Sequence, residues 1–184
     1  MIEFLDLLAC PACAGALDGS LRCTACGCRY PARDGIPDLR LELDPRTERV
    51  RQFYERAPFP GYPPNDSLVW LRTRAGRGPF ARMLDRAIAG DAKIVEVGCG
   101  TGQLSLYLAH ADRTVVAIDL ARPSLLLGAD AARRFGIEGV LFVESDLRAP
   151  GVREGAFDVV LSFGVLHHTP DPRASFQESG RSQL

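Results

Sequence analysis

The 184-residue chain has no run of eighteen apolar residues, no charged-then-apolar leader ending in a small-residue cleavage site, no tandem repeat and no low-complexity tract. The first two absences argue against a membrane-spanning helix and a secretory signal, so the expected address is the cytoplasm. Excess charge of one sign is also missing. A formal net charge of -1 removes any global bias toward nucleic acid or an anionic membrane. Cysteine is nearly absent beyond residue 28, where Cys99 stands alone. The 46% hydrophobic content and the length suit one ordinary domain plus a small appendage.

The other five cysteines lie within the first twenty-eight residues, as Cys10-Pro-Ala-Cys13, Cys23-Thr-Ala-Cys26 and the adjoining Cys28. Two Cys-x-x-Cys turns separated by nine residues can converge four thiolates on a tetrahedral ion, which predicts a closed structural zinc site at Cys10, Cys13, Cys23 and Cys26. The segment has too little apolar material to fold alone, so metal would supply on the order of 10 kcal/mol of its folding free energy. Disulfides are disfavoured in a reducing cytosol, and a thioredoxin-type pair needs a strand and helix that are missing here. Cys28 is either a spare thiol or a replacement for Cys26. Residues 30–39 read as a strand and turn closing this module at about residue 41.

A second constellation begins at residue 93. Ile94, Val95 and Val97 form a short β-branched run, and Gly98, Gly100 and Gly102 break it. Residues 103–111 then read as a mostly apolar helix, so the unit is a strand, a glycine turn and a helix. Without side chains the turn lets backbone approach a ligand. The spacing is Gly-x-Gly-x-Gly, not the Gly-x-Gly-x-x-Gly of dinucleotide oxidoreductases, and an acid, Glu96, stands two residues before the first glycine. Residues 114–118 read as the next strand, ending in Asp119 seventeen residues beyond Gly102. An acid at that position is placed to accept hydrogen bonds from ribose hydroxyls. A helix over 124–135, a strand over 140–143 leading to Glu144-Ser145-Asp146-Leu147, and a strand over 157–163 follow.

Between the two constellations, residues 44–57 form a charged helical pattern with Val50, Phe53 and Tyr54 as its apolar contacts. The proline-rich stretch 58–64 is either a stiff linker packing its aromatics or a lid. Helical patterns resume at 67–74 and 79–89. Arg72, Arg74, Arg77 and Arg82 read as a solvated face.

The segment Glu96-Val97-Gly98-Cys99-Gly100-Thr101-Gly102 resembles the first motif of the class I S-adenosylmethionine-dependent methyltransferases. That resemblance implies an α/β, Rossmann-like sheet and S-adenosylmethionine as cofactor. The turn Gly98, Cys99, Gly100 and Gly102 would wrap the methionine part, and Glu96 would hold its amino group directly or through water. Asp119 would bind the ribose, Leu120 would pack on the adenine, and Asp146 would take the adenine amino group, with Leu147 and Phe163 also at the cofactor. Gly164-Val-Leu-His-His-Thr-Pro-Asp171 is similar to the family's fourth motif, which makes His167 and His168 candidates to contact cofactor or substrate. Methyl transfer is then an in-line displacement needing no covalent nucleophile, with Cys99 only a small residue of the turn.

The first forty-one residues are similar to the small zinc-ribbon proteins that accompany and activate RNA and protein methyltransferases. The likeness rests on Leu8-Ala-Cys10-Pro-Ala-Cys13, the second cysteine pair and Tyr30-Pro-Ala-Arg-Asp-Gly-Ile-Pro37. The expected organisation is a zinc ribbon over 1–41, a helical and proline-rich linker or lid over 42–91, and a partial methyltransferase domain over 92–184. Its sheet is expected in the order three, two, one, four. Family members continue through a helix and three more strands, so a truncated product with an exposed apolar fourth-strand edge is expected. A protein partner would meet that edge or the ribbon, and the methyl acceptor is unidentified. Two other readings remain: a non-catalytic module docking through its ribbon, and a nicotinamide-dependent oxidoreductase, which the glycine spacing disfavours.

Overall fold

A computed structural model describes residues 2–58, 60–63, 65–166, 169, 171, 173, 174 and 177. A short 3-10 helix, Ile2–Leu7, precedes the two cysteine turns. They lead into a hairpin of β1 (Ala32–Arg33) and β2 (Ile36–Pro37), paired antiparallel across the two-residue turn Asp34-Gly35. Asp-Gly is a dipeptide that such a turn favours, because both residues tolerate a left-handed backbone.

Three helices follow. α1 (Pro45–Arg56) starts where the Asp44 carboxylate accepts from the backbone N–H groups of Arg46 and Thr47, with proline in its first turn. α2 (Leu68–Arg77) is capped in the same way by Ser67, and α3 (Pro79–Ala87) begins on a proline directly after it. The α/β part then runs β3 (Lys93–Val97), α4 (Gln103–Leu108), β4 (Thr114–Asp119), α5 (Arg122–Phe135), β5 (Val140–Glu144) and β6 (Val159–Ser162). α4 is three residues shorter than the pattern predicts. α5 starts two residues earlier than expected, since Pro123 suits a first turn.

The four strands are parallel in the order β5-β4-β3-β6, as the sequence predicts. Side-chain alternation sorts them cleanly. Ile94, Val115, Ala117 and Phe142 face the layer of α4 and α5. Val95, Val97, Val116, Ile118, Leu141 and Val143 point to the other side, where they meet Phe4, Leu7, Leu8 and Leu39 of the amino-terminal module. The module is therefore one of the two covers of the sheet and shares its core. Among the described residues β6 pairs with β3 alone.

Backbone bonds fix the module in register. Leu39 N–H donates to the Glu144 carbonyl at 2.8 Å, Ala9 N–H to Gly151 at 2.9 Å, and Arg153 N–H to Leu7 at 2.9 Å. Beside them the buried Glu144 carboxylate is met by Arg40 at 2.9 Å and Arg122 at 3.0 Å, and Arg122 also reaches Asp34 at 2.9 Å. Burial pushes the Glu144 carboxyl up, and the two guanidiniums oppose that shift.

Leu8 is fully buried in this joint. Leu8→Ala is expected to cost about 2–5 kcal/mol, the usual range for a buried leucine that leaves a cavity. Denaturant-dependent hydrogen exchange should give the module amides and the β3 and β4 amides one shared, shifted midpoint. Separate midpoints for the module and the sheet would contradict a common core.

Candidate active site and metal centre

The glycine turn follows β3 and is pinned to the end of β4, with Gly98 and Cys99 N–H groups both donating to the Ile118 carbonyl at 2.7 and 2.9 Å. Two of its glycines are obligatory on steric grounds. Gly98 has φ of 77°, and a Cβ there would lie 2.1 Å from a Val165 methyl; Gly102 has φ of 71°, and a Cβ would lie 2.5 Å from the Phe142 ring. The turn borders a cavity of about 390 Å³ at the carboxyl ends of the strands, the side on which open parallel sheets bind ligands.

Of the expected cofactor residues, Gly98, Gly100, Asp119, Leu120, Asp146, Leu147 and Phe163 line this cavity. Glu96, Cys99 and Gly102 do not. Glu96 is on the helix-facing side of β3, buried and bonded to the Ser105 hydroxyl of α4. Burial raises its pKa to about 7, with the Ser105 bonds opposing and the nearby Asp119 charge adding. Cys99 packs in the helix-side core, and its thiol is pushed well up by burial, as suits an inert small residue. Gly102 is the left-handed residue that starts α4. His167 and His168 lie outside the described residues.

Asp119 spans two loops. One carboxylate oxygen accepts from Gly100 N–H at 2.8 Å and the other from Ala121 N–H at 2.8 Å. Burial pushes its carboxyl up, while these backbone donors favour the charged form. Asp146 stands across the cavity, in contact with Arg148: the Arg148 backbone N–H donates to it at 2.9 Å and the guanidinium Nε lies 3.0 and 3.1 Å from its two oxygens. Arg148 in turn reaches Asp44, the cap of α1, at 2.7 Å.

That helix, like Arg148 itself, is a part of the site that sequence reasoning missed. Thr47, Val50, Arg51 and Tyr54 line the cavity from α1. Their spacing of i, i+3, i+4 and i+7 makes one helical stripe, and an Asp-Pro start before it was the available signal. The proline-rich segment covers a different place. The Thr101 hydroxyl donates to the Pro60 carbonyl at 2.5 Å, Gln103 to the Gly61 carbonyl at 3.1 Å, and the Tyr62 hydroxyl to the Thr101 carbonyl at 2.8 Å. It thus fastens the outer, helix side of the glycine turn.

At the amino terminus the sulfurs of Cys10, Cys13, Cys23 and Cys26 lie within 4.8 Å of one another, and Cys28 is not among them. Cys10–Cys26 and Cys13–Cys23 are 3.7 and 3.5 Å apart. Four thiolates about 2.3 Å from one ion would be spaced by about 3.8 Å, so this arrangement fits a tetrahedral metal. Gly15 leaves the room: a Cβ there would come within 2.9 Å of the Cys23 sulfur and 3.3 Å of that of Cys13. The buried Tyr30 hydroxyl lies 3.1 Å from the Cys10 sulfur.

Comparisons with known proteins agree with both halves. A protein of Synechococcus is 31% identical over 143 residues, covering 70% of this chain and 32% of that protein. A ubiquinone biosynthesis O-methyltransferase of Bordetella parapertussis is 41% identical over 111 residues, covering 57% and 39%. The chain thus spans between about a third and two fifths of the length of these curated relatives. Among solved structures, the magnesium protoporphyrin IX methyltransferase of Synechocystis with bound S-adenosylmethionine matches with a TM-score of 0.55 at 23% identity, over 76% of this chain and 72% of that one. The [4+2]-cyclase SpnF matches with a TM-score of 0.60 at 22% identity, over 78% and 58%. These two likenesses concern the fold. Among the described residues no helix is long and apolar enough to cross a membrane. Residues 95–182 match the methyltransferase domain family and residues 2–35 the Trm112p-like family, so a Trm112p-like segment precedes a stretch similar to methyltransferase domains.

Proposed function

We propose that the chain binds S-adenosylmethionine in the cavity beside the glycine turn and serves methyl transfer to an acceptor at the Phe163 side, while Cys10, Cys13, Cys23 and Cys26 hold a structural zinc ion. The observation that carries this reading is the meeting of the Gly98–Gly100 backbone, Asp119 and Asp146 around one cavity. Asp119 has one backbone donor on each oxygen and keeps lone pairs for two ribose hydroxyls. Asp146 accepts the adenine amino group between Leu120 and Leu147. Glu96, behind the turn, favours the ammonium through its charge. When bound, the cofactor would supply an electrophilic methyl group on a positively charged sulfur. The chain's task is orientation and exclusion of water. With the inner face of the ribbon covered by the chain's own sheet, the zinc acts from within the fold.

Calorimetric titration with S-adenosylhomocysteine should give saturable binding, with none for NADH. Asp119→Ala removes the ribose acceptor and two loop bonds and should weaken binding at least tenfold. Binding of NADH alone would overturn the cofactor assignment.

The pH dependence has a definite sign. Glu96 in the free protein has its pKa raised to about 7, and a nearby ammonium favours its charged form and lowers that value. Binding therefore releases a proton near neutrality, is tighter above pH 7 and weakens as pH falls through 7. Titrations in buffers of different ionisation enthalpy should detect that proton, and Glu96→Gln should abolish it.

Zinc content measured after denaturation should be one ion per chain. Cys26→Ser should lower it and Cys28→Ser leave it unchanged; the opposite pattern would exchange the two cysteines as ligands.

A further inference from the structure

The helix over the cavity is thinly attached. Thr47 is the only buried residue of α1, and Phe53 on its outer side is 66% exposed. Its charged residues largely satisfy one another, since Arg51 bonds Glu48 at 2.6 Å and also pairs with Glu55. With only Thr47 fully buried and Val50 and Tyr54 half-buried, packing holds this helix only in part. A polar bridge reaches it from the cavity floor: Asp146 to Arg148, and Arg148 to Asp44.

Each part of the bridge has a second duty. Asp44 uses one oxygen to cap Arg46 and Thr47 N–H groups at 2.9 and 3.1 Å, and its other oxygen meets the Thr47 hydroxyl at 2.6 Å and the Arg148 guanidinium at 2.7 Å. Arg148 holds Asp146 through both its backbone N–H and its side chain, which restricts that carboxylate to one orientation. We infer that Arg148 is a positioning residue that sets the Asp146 carboxylate for the nucleobase and fastens α1 across the cavity through Asp44, thereby setting how long the cofactor stays bound. This rests on the cofactor reading given above. A carboxylate has acceptor sites enough for an adenine amine as well as the guanidinium, so the ligand completes the bridge and does not compete with it. Both Arg148 and Asp44 are about one third exposed, so screening by salt should weaken the effect.

The test uses the full chain in four forms: wild type, Asp44→Asn, Arg148→Ala and the double variant. Asparagine caps a helix about as well as aspartate, so Asp44→Asn removes the charge while keeping the helix start. Stopped-flow displacement of S-adenosylhomocysteine should show dissociation roughly three- to tenfold faster in each single variant, with association changed less. The double variant should be no faster than Arg148→Ala, and 0.5 M salt should shrink the difference. Hydrogen exchange of the ligand-free proteins should rise over 45–56 in all three variants, with the β3 and β4 amides unchanged. Wild-type dissociation in Asp44→Asn, or additive effects in the double variant, would overturn the bridge. If wild type binds no S-adenosylhomocysteine, the cofactor reading fails instead. Exchange over 45–56 then decides the fastening by itself, and unaltered exchange overturns it.

Discussion

A parallel sheet must be covered on both faces, because its strands are apolar on both. Here α4 and α5 cover one face, and the amino-terminal cysteine module takes part in covering the other through Phe4, Leu7, Leu8 and Leu39. Most of what lies near the cavity depends on that second cover. The module's hydrogen bonds reach the Glu144 carbonyl at one end of the segment carrying Asp146 and Arg148, and Gly151 and Arg153 at the other. A loop held at both ends has few conformations left to lose on binding a ligand, so part of the ordering entropy has already been met by folding.

The ion pairs at this joint follow the same logic. Glu144 is buried at the end of β5, beside Asp119 in the strand register, and a lone carboxylate there would be costly. Arg40 comes from the segment after the hairpin and Arg122 from the start of α5, so both packing partners contribute one cation each. The arrangement is weak evidence for added stability, since desolvation offsets much of the attraction. It is stronger evidence for specificity of docking, because a shifted module would take Arg40 away and leave buried Glu144 with Arg122 alone.

What could be read from the sequence was what backbone geometry and ligand chemistry impose locally. The strand and turn around Glu96–Gly102 were legible because Gly98 and Gly102 have no room for a side chain, and Asp119 because an acid ending the second strand has few other uses. Two cysteine pairs likewise declared a four-sulfur site. The strand order came with the family resemblance and not from the residues themselves. Tertiary contacts were not legible. Nothing in the run 44–57 says that its Thr47, Val50 and Tyr54 stripe faces a cavity and not a core. The Pro60–Tyr62 segment, open between linker and lid, bonds the outside of the glycine turn through Thr101 and Gln103. Its role depends on where residues forty positions later come to lie.

Glu96 shows how a motif can be legible while its working geometry is not. The sequence fixes an acid two residues before the turn, but alternation along β3 sends its side chain to the helix face, away from the cavity and onto Ser105. A carboxyl so buried, with Asp119 nearby, is poised between charge states near neutrality. Burial opposes its charge, the Ser105 bonds favour it, and a cation placed in the turn would favour it further. On the proposed cofactor reading, the acid would act on a ligand it does not touch, through the field of a dry interior, where charges interact more strongly than in water. On that proposal, the motif joins glycines with a carboxylate because the glycines would admit the ligand and the buried acid would bias which charge it carries.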